Sequence, residues 1–389
     1  MRLISRPVWI LSFVSMFADI AGEMLYPVIP VYLKNIGFSI ILIGLLEGVA
    51  EFTVGISKGY FGKLSDEKGV RIPFIRWGYF LSAISKPMMA MMPNALWILL
   101  ARSTDRLGKG IRTAARDALL SQEATPETKA RVFGFHRAWD TAGAIIGPLL
   151  ALLFLKYYPD QYEKLFYLAV IPGMIAVLLI FFLKEKKMPL PVREKGSFFS
   201  FFGYWKKANQ QYRNLLKGLI IFAIANSSDV FLLLKVKEIT GSDTTTIFVY
   251  ILYNIIFSFA SYPLGILADR IGMKKVFLFG LLLFSIVYGS FAFATTTQEI
   301  AFLFVLYGLY AAATEGIAKA WITNLADKTE TATAIGLFTS VQSIASLSAS
   351  LIAGMLWTFG GSSLVFLLSA TIALLVLLYL LAGPLRVKA

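Results

Sequence analysis

The chain has 389 residues, 57% hydrophobic and 15% charged, with a mean hydropathy of +0.71; that is too little charge to cover a soluble protein of this length. Its net charge of +14 lies largely in loops between apolar runs, which is what the positive-inside rule produces and excludes a nucleic-acid partner. Cysteine is absent, so disulfides and thiol chemistry are excluded as well.

Runs of about 20 apolar residues cross a hydrocarbon core of roughly 30 Å, and only a helix closes its hydrogen bonds within one such run. Twelve spans are predicted, at 8–33, 39–61, 72–92, 95–120, 130–156, 162–183, 214–239, 245–266, 273–294, 297–324, 331–358 and 362–383. The first continues too far for a cleaved signal peptide and carries Asp19 and Glu23 one helical turn apart. The second carries Glu47 and Glu51 at the same spacing, and the turn after it reads GKLSDEKGVR, with Gly62, Asp66 and Arg71. In the fourth, Arg102, Asp105, Arg106, Lys109, Arg112 and Arg116 fall on one helical face. A charge at mid-depth costs roughly 2.5–3.5 kcal/mol on insertion scales, so this stripe has to face the bundle interior or water rather than lipid. The fifth span contains GAIIGPLLALL, where Gly143, Gly147 and Pro148 favour close helix approach and bending.

Between the sixth and seventh spans lies a long polar interval, 184–213: a charged, proline-containing piece (KEKKMPLPVREKG), then an aromatic, basic piece (SFFSFFGYWKKANQQYR) that suits an amphipathic helix at the membrane surface. It divides the chain into 1–183 and 214–389. The seventh span supplies Asn226, Ser227, Ser228 and Asp229; the eighth, Tyr253 and Asn254; the tenth, Glu315 and Lys319 at a spacing that allows them to pair with each other. The turn after the eighth, GILADRIGMKK, holds Gly265, Asp269, Arg270 and Lys274. Lys and Arg concentrate in alternate loops, which places both termini in the cytoplasm.

The halves repeat at roughly 200 residues, the period of parallel six-helix repeats. GKLSDEKGVR matches GILADRIGMKK, and ARVFGF (residues 130–135) and TAIGLF (residues 333–338) fall at nearly the same offset. On these motifs the whole chain resembles the major facilitator superfamily of secondary transporters. The resemblance implies an all-α membrane protein of twelve transmembrane helices in two pseudo-symmetric six-helix bundles. It also implies a gating role for Gly62, Asp66 and Arg71 and for Gly265, Asp269, Arg270 and Lys274. Gly143, Gly147 and Pro148 are similar to the antiporter motif of family exporters, with Ala151 and Leu152 in place of its final glycine pair; plain packing is the other reading. Arg102 matches the family's arginine linked to proton transfer, and Arg112 and Arg116 are assigned to the cytoplasmic exit of the same helix, among the gating contacts.

The expectation is therefore a multi-pass transporter of a prokaryotic inner membrane, not an enzyme, acting as a monomer on a small organic solute without a cofactor or bound metal. LGKGIR lacks phosphate-loop spacing. Asp19, Glu23, Glu47, Glu51 and Asp105 are assigned to proton coupling, since paired carboxylates beside arginines can exchange a proton for an ion pair; static ion pairs and a Na⁺ site are the alternatives. Arg102, Arg106, Lys109, Asn226, Asp229, Tyr253, Asn254, Glu315 and Lys319 are assigned to substrate binding or charge relay. Export by proton antiport is expected; uptake of an organic anion or zwitterion is the alternative, and a non-transporting receptor or channel a remote one.

Overall fold

A computed structural model describes residues 4–26, 28–29, 32–33, 36–38, 40–159, 161–185, 199–226 and 229–382, apart from the side chains of 40–52, 230, 243–244 and 247. The described residues contain helices and no strand. In chain order the helices are α1 (Arg6–Glu23), α2 (Ile40–Lys68), α3 (Ile72–Met91), α4 (Ala95–Gln122), α5 (Lys129–Tyr157), α6 (Tyr162–Leu168) and α7 (Val170–Ile180). After a 3-10 turn at Ser200–Gly203 come α8 (Tyr204–Lys207), α9 (Gln210–Ala225), α10 (Val230–Thr240), α11 (Asp243–Ile271), α12 (Met273–Phe291), α13 (Thr297–Leu325) and α14 (Thr331–Ala382).

Six described segments are long and apolar enough to cross a membrane by length and composition alone: Lys129–Tyr157, Tyr162–Ile180, Phe248–Ile271, Met273–Phe291, Thr297–Leu325 and Thr331–Ala382. The last contains both of the final two expected spans, because α14 bends at Gly361, whose φ of 79° and ψ of 169° suit glycine alone. Helix α4 fails that composition test because it carries the charged stripe expected there.

Several expected spans differ in detail. In the first, α1 ends at Glu23 in a turn, and helical residues resume at Ile29, Tyr32 and Leu33, within the expected span. The sixth divides into α6 and α7 at Ala169, three residues before Pro172, which has no amide to donate and crowds the carbonyl of Leu168. The seventh is interrupted between Ala225 and Val230, where Asn226 leaves helical geometry (φ −89°, ψ 84°). The amphipathic helix expected over the aromatic linker is only the Ser200–Gly203 turn followed by α8, and α9 starts afresh under an Asn209 cap. Residues 186–198, most of the charged linker piece, lie outside the described residues. Phe201 is buried in the place a side chain on Gly59 would need, and Lys63 Nζ donates to Ser200 Oγ at 2.8 Å. Burial pushes the neighbouring Tyr204 phenol up to about 12.

Contacts gather the chain into two compact units. One comprises Met1–Glu123, Trp139–Tyr204 and Asp327–Ser340; the other comprises Ala124–Ala138, Trp205–Ala326 and Val341–Ala389. In the first unit, glycines set the position of α4. An added Cβ on Gly108 would stand 2.5 Å from the Gly78 carbonyl oxygen of α3, and one on Gly110 2.3 Å from Ser57 Cβ of α2. Backbone-to-backbone approach of this kind is what small residues permit between membrane helices. Asn94 caps α4 by accepting from the Leu96 and Trp97 amides at 3.0 and 3.3 Å. Gly143 and Gly147 of α5 likewise meet the α1 backbone at Met16 and Ile20.

These approaches predict opposite signs for one substitution at two sites. Gly108→Ala forces a methyl onto backbone and should cost about 1–3 kcal/mol. Gly289→Ala, whose added Cβ would meet only Ala370 Cβ at 3.9 Å, should be neutral or stabilise by up to about 1 kcal/mol through helix propensity. Thermal denaturation of both variants in detergent tests this; equal shifts would reject glycine-dependent packing of α4.

Candidate functional site

Two matching latches occupy the repeated turns. In the first unit, the Asp66 carboxylate accepts from the Ala332 and Thr333 amides at 3.3 and 2.5 Å and from the Thr333 hydroxyl at 2.6 Å. These amides are among the open donors at the start of α14, where partial positive charge collects. Arg71 forms an ion pair with the same carboxylate and donates to Ser65 Oγ at 2.8 Å; Asp66 and Arg71 are both buried. The Glu185 carboxylate in turn accepts from the Arg71 and Ile72 amides at 3.0 and 2.8 Å, capping α3. In the second unit, Asp269 accepts from the Ala130 and Arg131 amides, each at 3.0 Å, at the start of α5. Glycines repeat the pattern. A Cβ on Gly62 would strike the Ala332 carbonyl oxygen and one on Gly336 the Lys58 carbonyl oxygen; Gly265 and Gly134 stand in the same relation to Ala130 and Ser261. In the turn leading into α14, the Thr329 hydroxyl and amide hold the Asp327 carboxyl below its ordinary range. Arg270 is exposed and Lys274 half-buried.

The stripe on α4 meets side chains from α1, α3 and α5 within the first unit. Lys86 of α3 pairs with Asp105 at 2.7 Å, and Ser85 donates to the same oxygen at 3.4 Å. Arg112 donates to Ser82 Oγ at 2.5 Å and stacks 4.3 Å from the centre of the Tyr79 ring. Arg116 donates to Ser15 Oγ and to Asp117 Oδ1, each at 2.9 Å, and approaches Asp140 at 3.9 Å. Arg112 and Arg116, assigned to the cytoplasmic exit of the helix, are buried, with hydroxyl, ring and carboxylate partners. Arg102 is buried, Asp105 and Arg106 are half-buried, and Lys109 is exposed. Asp19 and Glu23 are half-buried on α1; Asp140, Lys109 and Arg112 act electrostatically on Asp19, and Lys109, Arg106 and Asp140 act on Glu23. The side chains of Glu47 and Glu51 lie outside the described residues, as do Ser227 and Ser228.

The second unit carries a different surface. Tyr307 of α13 donates to Asp229 Oδ1 at 2.6 Å, and Asn226 Nδ2 donates to the Tyr310 hydroxyl at 3.0 Å. Tyr253, Tyr307 and Tyr310 form a wall with successive ring centres 5.0 and 5.3 Å apart. Gly308 makes this possible, since an added Cβ would stand 2.9 Å from the Tyr253 carbonyl oxygen. Asn254 instead turns back to the Tyr250 carbonyl of its own helix at 2.9 Å. Glu315 is not confined to the expected pairing with Lys319: Arg137 of α5 binds it at 2.6 Å, with its guanidinium 4.8 Å from the centre of the Phe257 ring.

Ser15, Tyr79, Ser82, Tyr307 and Tyr310 are participants not assigned from the sequence. Tyr307 and Tyr310 are signalled by YGLY in the same helix as Glu315; the serines, buried among apolar neighbours, carry no comparable mark.

The comparisons agree with this architecture. The chain matches the Major Facilitator Superfamily over residues 11–237 and 218–388. It is 35% identical over 387 residues to an uncharacterised MFS-type transporter of Methanocaldococcus jannaschii, covering 96% of this chain and 94% of that protein. A multi-drug resistance efflux pump PmrA homolog of Lactococcus lactis is 23% identical over 302 residues, 75% of this chain and 73% of its own length. Among solved structures, the human organic anion transporter MFSD10 superposes with a TM-score of 0.79 at 16% identity, over 96% of this chain and 99% of its own, a likeness of fold. With the duplicated turns, the helical spans, the family match and the Methanocaldococcus relative together, the chain belongs to the major facilitator superfamily and is a multi-pass secondary transporter.

Proposed function

We propose that the protein exports a small organic solute in exchange for protons, by alternating access of two six-helix bundles, 1–183 and 214–389, joined by the segment 184–213. It works as a monomer in a prokaryotic inner membrane with both termini in the cytoplasm. The observation that carries this reading is that Asp19 and Glu23 are half-buried one turn apart on α1, where Asp140 and the basic Lys109, Arg106 and Arg112 act on them electrostatically. Carboxylates crowded together and opposed by basic side chains can hold a proton in one state and an ion pair in another. Asp19 and Glu23 are the proposed carriers, with Asp105 held as counterion of Lys86. The efflux direction draws support from the similarity to the multi-drug resistance efflux pump homolog. The exposed Lys109 beside Arg106 favours a second reading, proton-coupled uptake of an organic anion or zwitterion. The two carboxylate latches, with Gly62, Gly265 and the basic residues around them, are the proposed gates; breaking them frees helix starts that need other partners.

Transport is tested with full-length protein in liposomes, after a thermal-shift screen of metabolites and drugs at two pH values has supplied a solute. With an imposed pH gradient, the wild type should move the solute against its own gradient, while Asp19→Asn should lose that drive and keep solute–solute exchange. Unaltered pH-driven accumulation in both Asp19→Asn and Glu23→Gln sinks the proton-carrier assignment. Arg106→Gln should weaken an anionic ligand and leave an uncharged one unaffected if the uptake reading holds. For the latches, Asp269→Asn should lower stability by about 0.5–2 kcal/mol, the cost of a lost helix cap. Asp66→Asn should cost about 3–5 kcal/mol, since it also strands the buried Arg71. Thermal midpoints that rank the two variants the other way reject the difference between the latches.

A further inference from the structure

The second unit holds a carboxylate that its neighbours leave only partly compensated. Asp229 follows the interruption between α9 and α10 and stays half-buried, while Tyr253, Tyr307 and Tyr310 beside it are buried. One side-chain hydrogen bond reaches it among the described residues, from Tyr307 to Oδ1 at 2.6 Å. Arg137, the basic group acting on it, pairs with Glu315 at 2.6 Å and lies against Phe257. The side-chain charges acting on Asp229 are Glu315 and Arg137, so these three groups together carry one negative charge when ionised. Discontinuous membrane helices are where many transporters with internal repeats bind solutes and ions. A carboxylate beside tyrosine rings selects within that class: it repels anions, and the rings attract a soft, weakly hydrated cation.

We infer that Asp229, with Tyr253 and Tyr307, forms a subsite for an organic ammonium group of the transported solute. The inference rests on the reading of the chain as a solute transporter and is independent of direction, since an exported amine and an imported zwitterion both carry such a group. The carboxylate neutralises the ammonium, and the tyrosine rings cover its alkyl substituents. Asn226, held to Tyr310 at 3.0 Å, keeps the end of α9 against the same wall and acts as a positioning residue.

The test is equilibrium binding to purified full-length protein in detergent, with no gradient imposed. Its probes are choline and its neutral isostere 3,3-dimethyl-1-butanol, which share a shape and differ in charge. Choline should bind saturably and the alcohol at least ~10-fold more weakly, the ratio that 1.4 kcal/mol represents. Asp229→Asn should weaken choline by ~10-fold or more and leave the alcohol unchanged, and Asp229→Glu should restore part of the loss. Tyr253→Leu, which does not touch the Asp229 hydrogen bond, should weaken choline by about 3-fold to 10-fold, the share of a partly desolvated ring. Equal binding of the two probes, absence of choline binding, or full choline affinity in Asp229→Asn overturns the subsite. Thermal stabilisation by Na⁺ that choline does not reproduce overturns it in favour of an inorganic cation. Choline binding without pH-driven transport in liposomes would instead leave the subsite standing and sink the proton-coupled reading.

Discussion

Hydrocarbon supplies neither hydrogen bonds nor counterions, so charge on a membrane helix has to be met from within the protein. The α4 stripe shows how this constraint organises the first unit. Its six charges would be untenable against lipid. Asp105 is met by Lys86, Arg112 by Ser82 and Tyr79, and Arg116 by Ser15, Asp117 and Asp140, so that side chains of α1, α3, α4 and α5 are tied to three of the six. Hydroxyls contribute to this network alongside the countercharges. A serine buries at little cost and turns its donor or acceptor to suit the neighbour.

Glycine is the second requirement, because a network of short side chains closes only if the helices come near one another. Gly78 and Gly108 bring α3 and α4 to backbone contact, Gly143 and Gly147 do the same for α5 and α1, and Gly308 brings Tyr307 to Tyr253 in the second unit. In each place the missing side chain on one helix determines which polar side chains on the next can meet. The functional groups and the packing glycines are therefore one design. Moving a helix by the width of a methyl would break the hydrogen bonds that hold the charges.

The units also differ in chemistry. The first is rich in guanidinium and ammonium groups set against carboxylates, an arrangement suited to exchange between protonation and ion pairing. The second has one carboxylate exposed to an aromatic wall, with a separate Arg137–Glu315 pair beside it. Division of labour follows from this asymmetry: proton chemistry is proposed for one surface and solute recognition for the other.

Much of this is legible in the sequence. Hydropathy runs mark the spans because lipid demands them, the repeated turns mark the duplication, and the spacing of the α4 charges marks one face. Helix starts capped by a near neighbour are equally local matters: Asn94 for α4, Asn209 for α9, and the Thr296–Glu299 box for α13. Other partners depend on tertiary structure, because they lie far apart in the chain. Asp66 caps a helix that begins at Thr331, Asp269 one that begins at Lys129, and Glu185 one that begins at Ile72. Likewise Arg137 takes Glu315, a carboxylate whose i,i+4 spacing in the sequence points to Lys319 as a local partner. Periodicity and composition are properties of one helix at a time, so the sequence determined which faces carry charge, aromatics or glycine. Which charge meets which depends on the angle and distance at which two helices cross, and packing in three dimensions decided that.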